Sequence, residues 1–171
     1  LENNNKIKFL KKKVIISELK IPYHKNGKYI LASFHPETTL NFDQNKKNLL
    51  KLLTFFNSLP FYIIFTYPNA DKGFYEFIKI LNSNKKRNRN FYLFENLGNT
   101  KYFRLLKTVD AMIGNSSSGI IESSAFKLPT INVGDRQMGR VSGTNVINST
   151  FENKDLNKKF KYLLSKSFKN K

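Results

Sequence analysis

The chain has 171 residues, of which 40% are hydrophobic and 14% aromatic, enough for one folded domain with a full core and barely enough for two. It contains no cysteine, which excludes disulfides and thiolate metal sites and favours a reducing cytoplasm, and no apolar run reaches the roughly 18 residues that a membrane span needs. The net charge of +18 is compatible with nucleic-acid binding, but the lysines are scattered along every segment, which favours a solvated basic surface.

Residues 1–27 are rich in lysine and contain one short apolar run, so we expect a linker or a leading helix there, followed by a domain over residues 28–171. The chain starts at Leu1 without the apolar segment of a signal peptide. We therefore expect a cut or processed end, from a longer protein or a split gene.

From residue 28 onwards, apolar runs typical of strands alternate with segments of helical periodicity. Strands are predicted at 28–35, 61–68, 90–96, 110–114, 129–134 and 145–147, and helices at 41–59, 71–84, 100–109, 118–127 and 152–168. Asn41 is placed to cap the first of these helices. Because the strands are apolar on both faces, the alternation predicts an α/β fold with a doubly wound, Rossmann-like parallel sheet.

Polar turn residues follow the predicted strands. In an open α/β sheet, ligands bind beyond the carboxyl ends of the strands, so these segments are expected to converge on one edge. They are His35-Pro36-Glu37-Thr38, Pro68-Asn69-Ala70-Asp71, Asn96-Leu97-Gly98, Gly114 to Gly119 and Gly134-Asp135-Arg136-Gln137.

The segment after the fourth strand indicates an anion site. Gly114 allows a sharp turn, and Ser116 to Ser118 are placed to cap the helix predicted at 118–127. Free N–H groups, the helix dipole and serine hydroxyls together suit a phosphate. Glu122, one turn later on the same face, suits a neutral diol such as a ribose. The pattern outlines a nucleotide site, although a serine cap with a supporting glutamate is the simpler alternative.

GNSSSGIIESSAFKLPTINVGDRQMGR (114–140), with FHPET (34–38) and YPNAD (67–71), resembles the C-terminal half of the hydrolysing UDP-N-acetylglucosamine 2-epimerases of sialic-acid biosynthesis. The resemblance covers residues 28 to 168 and implies one half of a two-domain glycosyltransferase-B fold. The implied reaction is the conversion of UDP-GlcNAc and water to ManNAc and UDP, by anti elimination of UDP followed by addition of water.

At matching positions, the resemblance also implies roles for single residues. His35 is the implied catalytic residue, near the phosphates and the leaving-group side of the sugar. The serines would hold the diphosphate and Glu122 the ribose, whereas Leu97 would meet the uracil and Arg136 would add positive charge. The full set implied to bind UDP is Asn69, Leu97, Ser116, Ser117, Ser118, Glu122 and Arg136.

The acid and base carboxylates of this chemistry belong, in the family, to the N-terminal domain. The resemblance therefore implies an N-terminal Rossmann domain of the same enzyme as a partner, a UDP-sugar as substrate, and neither a metal nor a redox cofactor. The lack of cysteine and of a long apolar run separately favours a cytoplasmic protein without membrane contact. Homo-oligomerisation is left open.

Other functions stay open at this point. Close relatives act on UDP-2,4-diacetamido sugars, and a non-hydrolysing epimerase or a glycosyltransferase is a nearby enzymatic alternative. A nucleotide-sugar-binding module without catalysis is a third alternative. A basic nucleic-acid-binding domain would need exposed aromatic residues among the lysines, whereas Phe and Tyr fall mainly at predicted core positions.

Overall fold

The computed structural model describes residues 12–68, 73–165 and 168. At its centre is a sheet of six parallel strands in the order β3-β2-β1-β4-β5-β6. The strands are β1 (Tyr29–Ser33), β2 (Tyr62–Thr66), β3 (Phe91–Phe94), β4 (Ala111–Gly114), β5 (Thr130–Val133) and β6 (Val146–Ser149). The predicted α/β fold with a parallel sheet is confirmed.

Helices connect these strands. Residues 12–18 are helical and are named α1. The others are α2 (Phe42–Asn57), α3 (Phe74–Arg87), α4 (Gly98–Leu106), a 3₁₀ turn (Ser117–Gly119), α5 (Glu122–Ala125) and α6 (Asn153–Leu163). Asn41 caps α2 as predicted, because its side chain accepts from the Gln44 N–H while the Gln44 side chain accepts from the Asn41 N–H. In the part of the chain that is described, no helix is long and apolar enough to cross a bilayer.

The sheet is covered on both faces, as its uniformly buried central strand requires. Ile30 and Ala32 of β1 face a core built with α2, α3 and α6. Tyr29 and Leu31 face the opposite core, which includes residues of α1 and α4. Alternate side chains of a strand point to opposite faces, so one short apolar run contributes to two cores.

Helix α1 is attached to the sheet by apolar and ionic contacts. Its Ile15 and Ile16 are fully buried. Lys12 Nζ lies 2.6 Å from Asp110 Oδ2, the atom that also accepts the N–H of Tyr29 at 2.8 Å. The division of the chain at residue 27 stays a prediction.

The continuous helix predicted over residues 118–127 is wrong. The segment forms the 3₁₀ turn and then the four-residue helix α5. Serine hydroxyls compete with the backbone here, since Ser123 Oγ donates to the Gly119 carbonyl and Ser124 Oγ to the Ile120 carbonyl. So short a helix has little dipole, and an anion would depend on the serine groups themselves.

Gly114 is the position at which the chain leaves β4, and its backbone is one that side-chain-bearing residues rarely adopt. Its φ is +154°, and a Cβ there would lie 2.0 Å from the carbonyl oxygen of Ser33. Both atoms of that clash are fixed by the parallel pairing of Gly114 with Ser33. The site that follows β4 therefore requires glycine at this position.

We expect Gly114→Ala to lower the free energy of unfolding by about 3 kcal/mol or more, because strain and a backbone clash combine. Gly139→Ala is the matched control, since Gly139 has φ +81° but no atom within 4 Å of the added Cβ. Strain alone predicts a loss of about 1 kcal/mol for that control. Urea denaturation measures both, and equal losses would contradict the close approach.

Candidate functional site

A cleft of about 330 Å³ opens at the carboxyl edge of the sheet. Its walls come from the loops after β1, β3 and β4, from Thr66 at the end of β2, and from α4 and α5. The strand order reverses between β1 and β4, and this is where open α/β sheets bind ligands. The cleft brings together five of the residues predicted from the sequence: His35, Leu97, Ser116, Ser118 and Glu122.

The other predicted site residues lie elsewhere. Ser117 is in the 3₁₀ turn between two lining serines but does not line the cleft. Arg136 is also outside the lining, and its Nη1 donates to the carbonyl oxygen of Asn115 at 3.3 Å. Asn69 lies outside the described residues.

Asn115 joins the two loops that flank the reversal of strand order. Its Oδ1 accepts the N–H of His35 at 2.7 Å, and its Nδ2 donates to the carbonyl of His35 at 2.8 Å. The side chain is fully buried, so both bonds form away from water. Sequence reasoning assigned Asn115 no role, because the two residues are 80 positions apart.

The backbone of Asn115 extends this junction to the loop after β5. Its carbonyl oxygen accepts from Gln137 Nε2 at 3.0 Å as well as from Arg136. The sequence pattern predicted no role for Gln137. One residue thus contacts the loops after β1 and β5 while belonging to the loop after β4.

A second buried asparagine fixes the other side of the loop after β1. Asn45 of α2 accepts the N–H of Glu37 at 2.7 Å, and its Nδ2 donates to the carbonyl of Glu37 at 3.0 Å. The two asparagines hold residues 35 and 37 by the same pair of bonds, on either side of Pro36. The loop that carries His35 is therefore fixed at both ends.

Ser118, Tyr102 and Glu122 form a polar cluster in the cleft. The Tyr102 hydroxyl donates to Ser118 Oγ at 2.7 Å, which leaves the Ser118 proton for an acceptor in the cleft. Burial raises the pKa of Tyr102, and the Glu122 carboxylate acts in the same direction, so the phenol remains a donor.

The Glu122 carboxylate contributes an unused acceptor to that cluster. Its Oε2 atom is buried and has no hydrogen-bond partner among the residues that the structure describes. Buried polar atoms are normally paired, so such an atom indicates a missing donor. The hydroxyls of a bound molecule fit this requirement.

The local charge of the cleft is not basic, in contrast to the chain as a whole. Its described lining includes the carboxylates of Glu95 and Glu122 but no lysine or arginine. The Arg136 guanidinium lies beside the cleft, where it contacts the residue preceding Ser116. A bound anion would therefore depend on hydroxyl and N–H donors together with Arg136.

The sequence of the chain is similar to that of known proteins. The protein family described as UDP-N-acetylglucosamine 2-epimerase matches residues 4–171. The chain is 43% identical over 163 residues to the hydrolysing GDP/UDP-N,N'-diacetylbacillosamine 2-epimerase of Campylobacter jejuni, covering 94% of this chain and 41% of that protein. It is 31% identical over 141 residues to the UDP-N-acetylglucosamine 2-epimerase of Neisseria meningitidis, covering 80% of this chain and 34% of that protein.

A solved structure gives the same result at the level of the fold. The crystal structure of the Methanocaldococcus jannaschii UDP-GlcNAc 2-epimerase in complex with UDP-GlcNAc and UDP matches with a TM-score of 0.66 at 16% identity. The match covers 92% of this chain and 42% of that one. This chain therefore spans less than half the length of these relatives. It belongs to the UDP-N-acetylglucosamine 2-epimerase family.

Proposed function

We propose that the chain is the UDP-binding half of a hydrolysing UDP-sugar 2-epimerase. The observation that carries the proposal is the cleft in which the hydroxyls of Ser116 and Ser118 lie with the unpaired buried oxygen of Glu122. Donors for an anion and an acceptor for hydroxyls are what a nucleoside diphosphate requires. Family membership supports the same ligand class.

Each part of UDP has a counterpart in or beside the cleft. The serine hydroxyls, with Arg136 beside them, would bind the diphosphate, and Glu122 Oε2 would accept from the ribose diol. Leu97, which lines the cleft on the loop after β3, would contact the uracil. His35, on the loop after β1, lies across the strand-order reversal from the serine loop after β4, where it would approach the diphosphate and the sugar.

The sugar is the part of the substrate on which the relatives differ. The relative with 43% identity is named for N,N'-diacetylbacillosamine and the one with 31% identity for N-acetylglucosamine. UDP-GlcNAc follows from the family description. The second candidate is a UDP-2,4-diacetamido sugar, because the relative named for such a sugar is more similar to this chain, over a larger share of it, than the one named for N-acetylglucosamine. The chemistry at C1 and C2 would be the same.

In the proposed reaction, a base removes the C2 proton, the C1–O bond breaks, and its electron pair leaves on the diphosphate of UDP. Water then adds at C1 of the resulting glycal and a proton returns to C2 from the other face. Stabilisation of the departing diphosphate is the share that this chain would contribute, through Ser116, Ser118, Arg136 and His35. These groups would act as positioned donors for the developing negative charge.

The base is assigned to the part of the enzyme outside this chain, because Glu95 and Glu122 are the only described carboxylates that line the cleft. Four of the others form ion pairs with lysine or arginine: Glu18, Glu76, Asp110 and Glu152. Glu37 does not line the cleft; burial, with Asp135 nearby, raises its pKa while Arg136 opposes the shift. Within the cleft, Glu122 is assigned to the ribose and Glu95 is exposed on the loop of Leu97.

We expect the 171-residue chain to bind UDP with an affinity no better than roughly micromolar, since half of the cleft is absent. Glu122→Gln should weaken UDP binding by about 1.5–3 kcal/mol, because a charged acceptor for two hydroxyls is lost. Binding of inorganic phosphate should be unchanged or stronger. Isothermal titration calorimetry measures both ligands.

The control for this substitution is Glu95→Gln, which removes the same charge from the exposed rim of the same cleft. UDP affinity should stay unchanged or increase in that variant. If Glu122→Gln leaves UDP affinity unaltered, Glu122 has only a structural role. If wild type shows no preference for UDP over phosphate, the ribose and uracil assignments are wrong.

We expect no release of UDP and 2-epimerised sugar from a UDP-2-acetamido sugar by residues 1–171 alone, and release once the N-terminal domain is restored. In the restored enzyme, His35→Ala should lower kcat strongly while the fold survives, since its position is at a strand end. NMR detection of UDP and free sugar over hours measures both. Turnover by the isolated chain, abolished by one substitution within it, would place the base among these residues.

A further inference from the structure

We propose that Asn115 is a positioning residue of the UDP site, which sets the place of His35, Ser116 and Arg136 together. The proposal rests on the proposed function for the identity of the ligand. The side-chain amide and the backbone carbonyl of Asn115 would hold the loops after β1, β4 and β5 in a fixed position relative to one another. Asn115 itself would not touch the substrate.

The first contact is the pair of bonds between the Asn115 amide and the backbone of residue 35. The donor–acceptor distances of 2.7 and 2.8 Å are at the short end for N–H···O bonds. The amide plane replaces one residue of a strand, continuing the β1–β4 pairing past Ser33 and Gly114. Pro36 follows directly, so the backbone at His35 is restricted from both directions.

The second contact is the carbonyl oxygen of Asn115, which accepts from both Gln137 Nε2 and Arg136 Nη1. Gln137 is 3% exposed, so its bond is protected from water. The Arg136 guanidinium is thereby held against the peptide that joins Asn115 to Ser116. Any shift of residue 115 would displace the histidine, the serine and the arginine at once.

The backbone of His35 requires one acceptor and one donor from residue 115, and the neutral amide of asparagine supplies both. An ionised aspartate could still accept the His35 N–H, but it would lose the donor and face the His35 carbonyl with negative charge. Leaving that buried carbonyl unpaired also carries a desolvation penalty. A protonated aspartic acid, in contrast, has one O–H donor and one carbonyl acceptor, so it can form both bonds.

Asn45 provides a matched control within the same protein. It is 3% exposed and makes the same two bonds to residue 37. Its Nδ2 also donates to the carbonyls of Leu40 and Asn41, and none of these bonds among the described residues reaches the serine loop or Arg136. A general effect of losing a buried amide should therefore appear equally in variants of Asn45 and Asn115, whereas displacement of Ser116 and Arg136, with the loss of UDP affinity that follows, is expected only for Asn115.

The test compares Asn115→Asp, Asn115→Ala, Asn45→Asp and Asn45→Ala in the full-length protein, with UDP as the probe. Urea denaturation reports stability, calorimetry reports UDP affinity, and NMR of labelled histidine reports the environment of the His35 ring. We expect comparable losses of stability in the two positions. UDP affinity should fall about tenfold or more for Asn115→Asp at neutral pH beyond any change in Asn45→Asp, since small displacements of binding groups have large effects.

The pH dependence separates positioning from simple destabilisation. Burial raises the pKa of the introduced carboxyl, so lowering the pH should protonate it and restore both bonds. UDP affinity relative to wild type at the same pH should then recover for Asn115→Asp. The His35 signals of Asn115→Asp should be displaced from those of wild type at neutral pH and return to them on acidification.

Three outcomes would overturn the inference: equal loss of UDP affinity at both positions, no recovery on acidification, or unchanged His35 signals in Asn115→Asp. If Asn115→Ala does not fold, the recovery of UDP affinity in Asn115→Asp on acidification still tests the inference. If wild type binds no UDP, the proposed function is wrong. The His35 signals of the Asn115 variants then test, without any ligand, whether Asn115 positions that residue.

Discussion

The reversal of strand order between β1 and β4 is the constraint on which the rest of the site depends. The connections after these two strands leave the sheet in opposite directions, and the crevice between them cannot be filled by a further helix. Gly114 brings the two backbones closer than a side chain at that position would allow. Asn115 then fills the bottom of the crevice with an amide that pairs with residue 35. His35 and Ser116 are left on its two sides, and both line the cleft.

The electrostatics of the cleft differ from those of the whole chain. A net charge of +18 attracts anions over long distances, but much of that charge is on exposed helix surfaces, for example Lys85, Lys86 and Arg87 in the last turn of α3. There the cations also complement the helix dipole. The cleft itself presents neutral donors and two carboxylates. This local pattern suits a small ligand with both phosphates and hydroxyls better than the phosphate backbone of a nucleic acid.

The sequence predicted the fold well because buried parallel strands are visible as continuous apolar runs, such as the one that became β1. It also predicted that loops after the strands would meet, which placed His35, Leu97 and Glu122 in one cleft. The sequence-based prediction failed over 118–127, where serine can either continue or interrupt a helix. Hydrogen bonds from serine hydroxyls to the carbonyls of Gly119 and Ile120 accompany the interruption of the helix there. The serine segment faces the cleft nevertheless, through hydroxyls and not through a long helix dipole.

The roles of Asn115, Asn45 and Tyr102 could not be predicted, because each depends on a partner that local pattern does not specify. Asn115 has its partner 80 positions away, and an asparagine after a glycine is locally indistinguishable from a turn residue. The contacts they make have a common consequence, which is that the loop of His35 and the hydroxyl of Ser118 are held by protein groups alone. Groups already fixed lose little entropy on binding. The weak affinity expected of this half would then come from absent contacts and not from disorder. Under the proposed function, an added domain would need only to bring its carboxylates to a diphosphate site whose donors are already arranged.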